Sequence, residues 1–272
     1  EVHDPPIVLY QRGRLEPRDR HAVAVVGTRK PTHYGQDCAK RLGYQLAYAG
    51  LTVVSGLARG VDTLAHTAAL AANGRTIAIL GSGLAELYPA ENEELAARIA
   101  DGHGAVLSEF PLRTRPDRQT FPMRNRIVCG IAGSLLVVEC GRNSGALITA
   151  SQALDQGRSI FAVPGPINRP TSAGCNALIQ QGARLATSAA DVIDEMQTLL
   201  PEQPQLSRSR PAERMTMNEE AVHDAIGGEE THVDEIARKC GLPMPQVSAT
   251  LLRLEMRRLV KQLPGGYFVK LI

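Results

Sequence analysis

VVSGLARGVDTLAH, residues 53–66, reads as a buried strand that runs into a turn and opens a helix. That order is the strand–turn–helix step of a nucleotide-binding α/β fold. In such a turn glycine is favoured, because bare backbone N–H groups must come close to a pyrophosphate. Here Arg59 stands among the small residues instead. The turn offers a long-reaching cation where a mononucleotide site keeps the backbone open.

Outward from this stretch the same alternation repeats. Candidate strands are AVAVVG (22–27), TVVSG (52–56), TIAIL (76–80), AVLSEF (105–110), SLLVVE (134–139), SIFAVP (159–164) and ARLAT (183–187). Nearly continuous apolar runs suit strands covered on both faces, and the amphipathic segments between them suit crossover helices. GALITASQALDQG is one such segment, with Leu147, Ala150 and Leu154 placed on one stripe. The fold class is therefore α/β, a Rossmann-like doubly wound, mostly parallel sheet, assigned to residues 1–197. Residues 198–216 carry three prolines and no periodicity and read as a linker. Residues 217–272 read as three helices and a hairpin around Pro264, Gly265 and Gly266, a small C-terminal winged-helix-like domain.

Composition narrows the function classes. The chain has 272 residues and a formal net charge of only +2, so any attraction for a polyanion must come from local clustering. Cys38, Cys129, Cys140, Cys175 and Cys240 are far apart and form no C-x-x-C pair, which speaks against a disulfide framework or a zinc site. No apolar run reaches the ~18 residues of a membrane span, and the start lacks a signal-peptide core. The expectation is a soluble cytoplasmic protein with no membrane contact, no cofactor and no metal. The first residue is Glu, which suits a trimmed chain with an N-terminal module missing.

The irregular, small-residue segments all follow strands: GTRKPTHYG, SGLARG, GSGLAELYP and ECGRNSGA. In a parallel sheet such loops share one rim, where ligands bind at the point at which strand order reverses. Each bears glycine and enters a helix, so each can offer N–H groups and a helix dipole to an anion. Arg29, Lys30, Arg59, Arg124, Arg126 and Arg142 add full charges, a combination suited to phosphate. RTRPDRQTFPMRNRIV, residues 113–128, sets five arginines and Phe121 against one acidic residue, Asp117. Arginine forks and an aromatic stacking face fit single-stranded nucleic acid. The bland reading is a solvated loop with Phe121 as a hydrophobic staple.

Catalytic constellations are thin. Asp62 and His66 lie one helical turn apart and are read as a local polar contact rather than an acid–base couple. Glu109 and Glu139 end their strands and are read as holding the rim arginines in position. The chain has no H-E-x-x-H, G-x-S-x-G or P-loop motif.

VAVVGTRKPTHYG, VVSGLARGVDTLAH, TIAILGSGLAELYPAENEEL, VLSEFPLRTRP, FPMRNRIVCGIAG, VVECGRNSGALITASQAL and FAVPGPINRPTSAGCNALIQQGARL together resemble the signatures of the DNA processing protein A family, also called DprA or Smf. The resemblance runs from about Val23 to Leu185, and the winged-helix-like segment is similar to one that many members carry. It implies a non-enzymatic protein that binds single-stranded DNA without sequence preference, forms a homodimer, protects incoming strands and helps load the RecA recombinase during natural transformation. It implies that Arg59 is a principal phosphate contact and that Phe121, Arg124, Asn125 and Arg126 line the DNA path. Gly27, Thr28, Arg29, Ser144 and Gly145 would complete the pocket, with Ser55, Gly56, Gly81 and Gly83 in the converging turns. Members often carry a further N-terminal helical domain that is not in this sequence.

The alternative is a nucleotide-binding enzyme of the phosphoribohydrolase type, whose P-G-G-x-G-T-x-x-E motif requires a catalytic glutamate. Aligned on Gly145 and Ala146, this chain has Thr149 at that place. A second alternative is a nucleotide-sensing regulator whose winged helix reads promoter DNA. Against it, residues 218–272 hold seven Lys or Arg and eight Asp or Glu, a net charge of 7 − 8 = −1. The start of the candidate recognition helix offers only Gln246, Ser248 and Thr250 as polar readers, so this module is expected to serve protein contact or a weak accessory role. For the dimer surface the apolar candidates are Leu178, Ile179, Val192 and Ile193, which equally suit the core.

Overall fold

A computed structural model describes residues 4–199, 215–227, 231–256, 259–263 and 265–270. The chain divides into two compact units, Glu1–Pro201 and Glu202–Ile272.

The larger unit holds β1 (Tyr10–Gly13), β2 (Ala22–Val26), α1 (His33–Tyr48), β3 (Thr52–Ser55), α2 (Val61–Ala71), β4 (Thr76–Ile79), α3 (Glu93–Arg98) and β5 (Gly104–Ser108). It continues with α4 (Thr120–Ile131), β6 (Ser134–Val137), α5 (Gly145–Asp155), β7 (Ser159–Ala162), α6 (Ala173–Gln180), β8 (Arg184–Leu185) and α7 (Ala189–Leu199). The eight strands lie in the order β1-β5-β4-β3-β2-β6-β7-β8. All neighbours are parallel except β1, which pairs antiparallel with β5 at one edge. Strand order reverses at β2, between β3 and β6.

Alternation along each strand explains the two covered faces. Ala22, Ala24 and Val26 of β2 meet Ile127 and Val128 of α4 and Ala146, Ala150 and Ala153 of α5 on one side. Val23 and Val25 meet Leu42 and Leu46 of α1, Ala65 and Ala69 of α2 and Val192 of α7 on the other. Small residues let these helices approach the sheet closely. All seven strands read from the sequence are present. The eighth, β1, escaped because YQRG is largely exposed and carries no apolar alternation.

This packing corrects one sequence reading and adds detail to two others. The buried stripe of α5 is Ala146, Thr149, Ala150 and Ala153, whereas Leu154 is 68% exposed. Val192 is core, and Leu178 and Ile179 pack partly against the core, so the exposed apolar side chain at the β8 edge is Leu185 instead. All five cysteines are free, yet Cys140 and Cys175 are close in space, with sulfurs 3.7 Å apart across the base of the β6–α5 loop.

At the amino ends of the strands, buried Arg75 fixes the segment before β2. Its guanidinium donates to Asp19 at 2.7 and 2.8 Å, to Glu16 at 3.0 Å and to the Arg14 carbonyl at 2.7 Å. The opposite end of the sheet is left to the loops.

In the smaller unit α8 (Met217–Ala225), β9 (Thr231–His232), α9 (Val233–Cys240), α10 (Met244–Met256), β10 (Val260–Leu263) and β11 (Tyr267–Lys270) form three helices and a three-stranded sheet of order β10-β11-β9. Val222, Ile236, Leu251, Leu254 and Phe268 build its core. This is a winged helix. Residues 200–214 of the expected linker, and Pro264 of the expected hairpin turn, lie outside the described residues.

Candidate nucleic-acid interface

Where the strand order reverses, a cavity of about 360 Å³ opens at the carboxyl ends of the strands. Gly27 and Arg29 reach it from β2, Gly56 and Ala58 from β3, and Ser144 and Gly145 from the start of α5. Arg118, Phe121, Arg124 and Asn125 close it from the α4 side. Three of the four expected loops line it directly. The fourth supports from behind: a Cβ on Gly81 would strike the Phe121 ring, and one on Gly83 would strike the Pro111 and Leu112 carbonyls.

The turn of residues 55–60 is occupied by its own acid. Asp62, on the first turn of α2, accepts from the Gly56 N–H at 3.1 Å and the Ala58 N–H at 3.3 Å. Those two amides are therefore engaged within the turn and are not offered to a pyrophosphate. Ser55 is also turned inward, its hydroxyl donating to the Val25 carbonyl at 2.6 Å. Gly60 has φ +79°, and a Cβ there would meet the Thr28 carbonyl, so only glycine lets the turn pass under the β2 loop.

Arg124 forms the buried floor of the cavity. It is 4% exposed, and its guanidinium donates to the Gly56 carbonyl at 2.7 Å and to the Ile79 carbonyl. Burial lowers its pKa to about 10, against the pull of Asp62, and the nearby charge of Arg29 pushes the same way as burial. Burial likewise raises the Asp62 carboxyl, with Arg124 and the two amides opposing. Arg124 thus lines the cavity from below, as a floor that also props two turns, a placement the sequence reading did not give. An arginine run carries no sign of which member faces in.

Above the floor, cations and rings alternate along the surface. The Arg29 guanidinium lies 5.0 Å from the centre of the Phe121 ring, Phe121 lies 5.9 Å from Tyr88, and the Arg59 guanidinium lies 5.8 Å from Tyr88. Arg59 then forks onto Glu91, with Nε at 2.7 Å and Nη2 at 2.9 Å. Both partners are more than half exposed, so the pair sits in solvent at the edge of the cavity. Arg59 does not line the cavity in this conformation. Tyr88 and Glu91 were missed by sequence reasoning, although both stand in the TIAILGSGLAELYPAENEEL stretch.

The start of α5 has open space over its first peptide, while Ser144 engages the Ala146 and Leu147 N–H groups. Ser144 caps the helix by accepting from the Ala146 N–H at 3.3 Å, and nothing lies within 4 Å of where a Gly145 Cβ would be. No internal contact requires glycine at 145. The space over it leaves the N-terminal peptide approachable.

The remaining expected residues are distributed around the cavity. Thr28 donates its N–H to the Glu139 carbonyl at 2.7 Å and holds the β2 loop. Arg126 turns away, bound to Glu109 at 2.7 Å and to Asp4 at 3.1 Å, so Glu109 does hold a rim arginine. Glu139 does not: its two oxygens accept from the Thr32 N–H and hydroxyl, each at 2.8 Å, and fix the start of α1. Asp62 and His66 do not pair, since His66 Nδ1 meets the Thr76 hydroxyl at 2.6 Å. Thr149 is buried, and its hydroxyl is turned to the Gly145 carbonyl at 3.4 Å. In the winged helix Gln246 and Ser248 are exposed but Thr250 is buried, leaving two polar readers instead of three. Among the described residues no His, Cys, Asp and Glu side chains group as metal ligands, and no helix is long and apolar enough to cross a membrane.

Comparison with known proteins covers both units. The model of the DNA recombination-mediator protein A family matches residues 1–197, and that of the DprA winged helix domain matches residues 206–266. Protein Smf of Escherichia coli strain K12 is 41% identical over 268 residues, which span 97% of this chain and 72% of the relative. The DNA processing protein DprA of Bacillus subtilis strain 168 is 43% identical over 196 residues, 72% of this chain and 66% of the relative. Among solved structures, DNA processing protein A of Streptococcus pneumoniae superposes with a TM-score of 0.67 at 42% identity, over 70% of this chain and 66% of that one. DNA processing protein A of Helicobacter pylori gives a TM-score of 0.66 at 30% identity, over 74% and 91%, and its structure was solved for its single-stranded DNA binding mode.

Proposed function

The chain belongs to the DNA processing protein A family, and on that premise we propose that the rim cavity of its larger unit grips single-stranded DNA without regard to sequence. The observation that carries this reading is the alternation of Arg29, Phe121, Tyr88 and Arg59 beside the open start of α5. The two cations suit different phosphates of one strand, and the rings between them offer a face to any base. The helix start adds the positive end of its dipole and the open space over Gly145 for one further phosphate. Arg59 contributes once its guanidinium leaves Glu91 for the strand.

The role is binding rather than turnover. The strand is one taken up in transformation, protected in the cytoplasm and passed to a RecA-type recombinase. Two copies associate through the β8 edge, where Leu185 and Leu154 are exposed beside an apolar groove of about 460 Å³. The winged helix, with a net charge of −1 over residues 218–272 and two exposed polar readers, serves as a protein-contact or weak accessory module.

Anisotropy titrations of the protein with labelled oligothymidylate and with duplex of the same length test the core of the reading. Tight binding of the single strand is expected, with log K falling against log[salt] by about 0.7 per phosphate held. Equal affinity for duplex, or release of free adenine from AMP, would overturn it. Sedimentation of the wild type and of Leu185→Glu tests the pairing of copies, and co-sedimentation with RecA tests the hand-over.

A further inference from the structure

A second cavity, of about 720 Å³, opens on the same rim and shares no lining residue with the first. It is bounded by the start of α1, by Glu139 beyond β6 and by the segment that follows β7. The two are adjacent along the chain in two places. Arg29 lines the first and Thr32 the second, and three residues span no more than about 11 Å. The loop after β6 likewise starts at Glu139 in the second and reaches Ser144 in the first.

Its chemistry is graded from mouth to floor. At the mouth stand exposed His33 and exposed Arg169, and the Arg169 guanidinium has no carboxylate partner among the described residues. Tyr34 is fixed across one side by its hydroxyl, which donates to the Pro164 carbonyl at 2.7 Å, so its ring and the Pro164 and Pro166 rings form flat apolar walls. At the floor is the Glu139 carboxylate, 3% exposed, each oxygen already accepting once from Thr32. A carboxylate has about four acceptor sites, so both oxygens retain room for a further N–H. The floor thus repels phosphate and tolerates the edge of a base, and the mouth attracts phosphate.

We propose that this second cavity holds a nucleotide of the same strand that enters the first, with its phosphate on Arg169 and its base against the Tyr34 ring above Glu139. The strand crosses the loop of residues 139–145 to reach it. This rests on the single-strand reading above and extends the contact path toward β7. The volume lies within the usual range for a site of this kind, roughly 300–1,000 Å³.

The test compares oligothymidylates of about 5 and about 20 nucleotides, which bracket common single-strand site sizes. Each is titrated against the full chain, Arg169→Ala, Arg169→Lys and Tyr34→Ala. With Arg169→Ala the longer strand is expected to bind about tenfold more weakly, with a salt slope shallower by about 0.7, and the shorter strand to change by less than about twofold. Arg169→Lys restores most of the slope. Tyr34→Ala weakens the longer strand and leaves the slope unchanged. If Arg169→Ala weakens neither length, or both alike, the second cavity is not on the path and the proposal is overturned. If the unaltered chain binds neither length, the single-strand reading itself fails and takes this inference with it.

Discussion

Asp62 and Arg124 hold the same residue from its two sides: the Asp62 carboxylate accepts from the Gly56 N–H at 3.1 Å, and Arg124 donates to the Gly56 carbonyl at 2.7 Å. A buried acid and a buried base thereby clamp the turn that a mononucleotide fold leaves open. Removing one partner strands the other. Arg124→Met is expected to cost about 3–5 kcal/mol of stability, because it leaves Asp62 and two carbonyls uncompensated. Urea melts read this directly; unchanged stability with lost DNA affinity would make Arg124 a surface contact after all.

Arg59 and Glu91 answer to a different measurement. Arg59→Ala is expected to weaken every oligonucleotide alike and flatten the salt slope by about 0.7. Glu91→Gln releases the guanidinium and should tighten binding, by no more than about fivefold for so exposed a pair. Sequence-selective loss in the first variant, or weaker binding in the second, contradicts the role given to Arg59.

Phe121 tests stacking apart from charge. Phe121→Ala is expected to lose about 1–3 kcal/mol of binding with little change in salt slope, since no phosphate contact is removed. A shallower slope in titrations across ionic strength would show that Phe121 acts mainly by positioning Arg29 above it.

Gly145 separates binding from folding. Nothing surrounds its absent Cβ, so Gly145→Ala should leave thermal stability unchanged or slightly raised through better helix propensity. Binding of single strands should nonetheless fall several-fold, because the new methyl stands over the N-terminal peptide. Full affinity in the variant would remove the start of α5 from the site.

His66 gives a pH signature. It is wholly buried, Nδ1 donates to Thr76, and burial with Arg124 nearby lowers its pKa to about 3. The unfolded chain takes up this proton near pH 6.5 and the folded chain does not. The contribution is therefore intact above pH 6.5 and is lost on acidification toward pH 3, at up to about 1.4 kcal/mol per pH unit. Melts of the wild type and His66→Gln between pH 7 and pH 5 should converge as the pH falls, and parallel curves would count against a neutral buried imidazole.

The sheet was legible because parallel strands covered on both faces must be apolar throughout, and a run such as AVAVV can be little else. β1 was not, since an edge strand exposed over three of its four residues needs no such pattern. The cavity was legible from loops that follow strands, which topology brings together whatever their side chains do. What stayed hidden was the direction of individual side chains. Arg118, Arg124 and Arg126 look equivalent in sequence, yet one lines the cavity, one props its floor and one is bound by Glu109 and Asp4. Glu91 was invisible for the same reason, being one acid of several in a polar stretch.

The clasp of Glu91 on Arg59 makes the rim a judge of ligand length. A lone nucleotide arriving there must evict a carboxylate with a single phosphate, trading one anion for another. On the proposed path, a polymer moored at Arg29 and the α5 start would hold its next phosphate at high local concentration, so the eviction would happen within one molecule. A monomer on that path lacks the mooring and competes for Arg59 at a disadvantage set by valency.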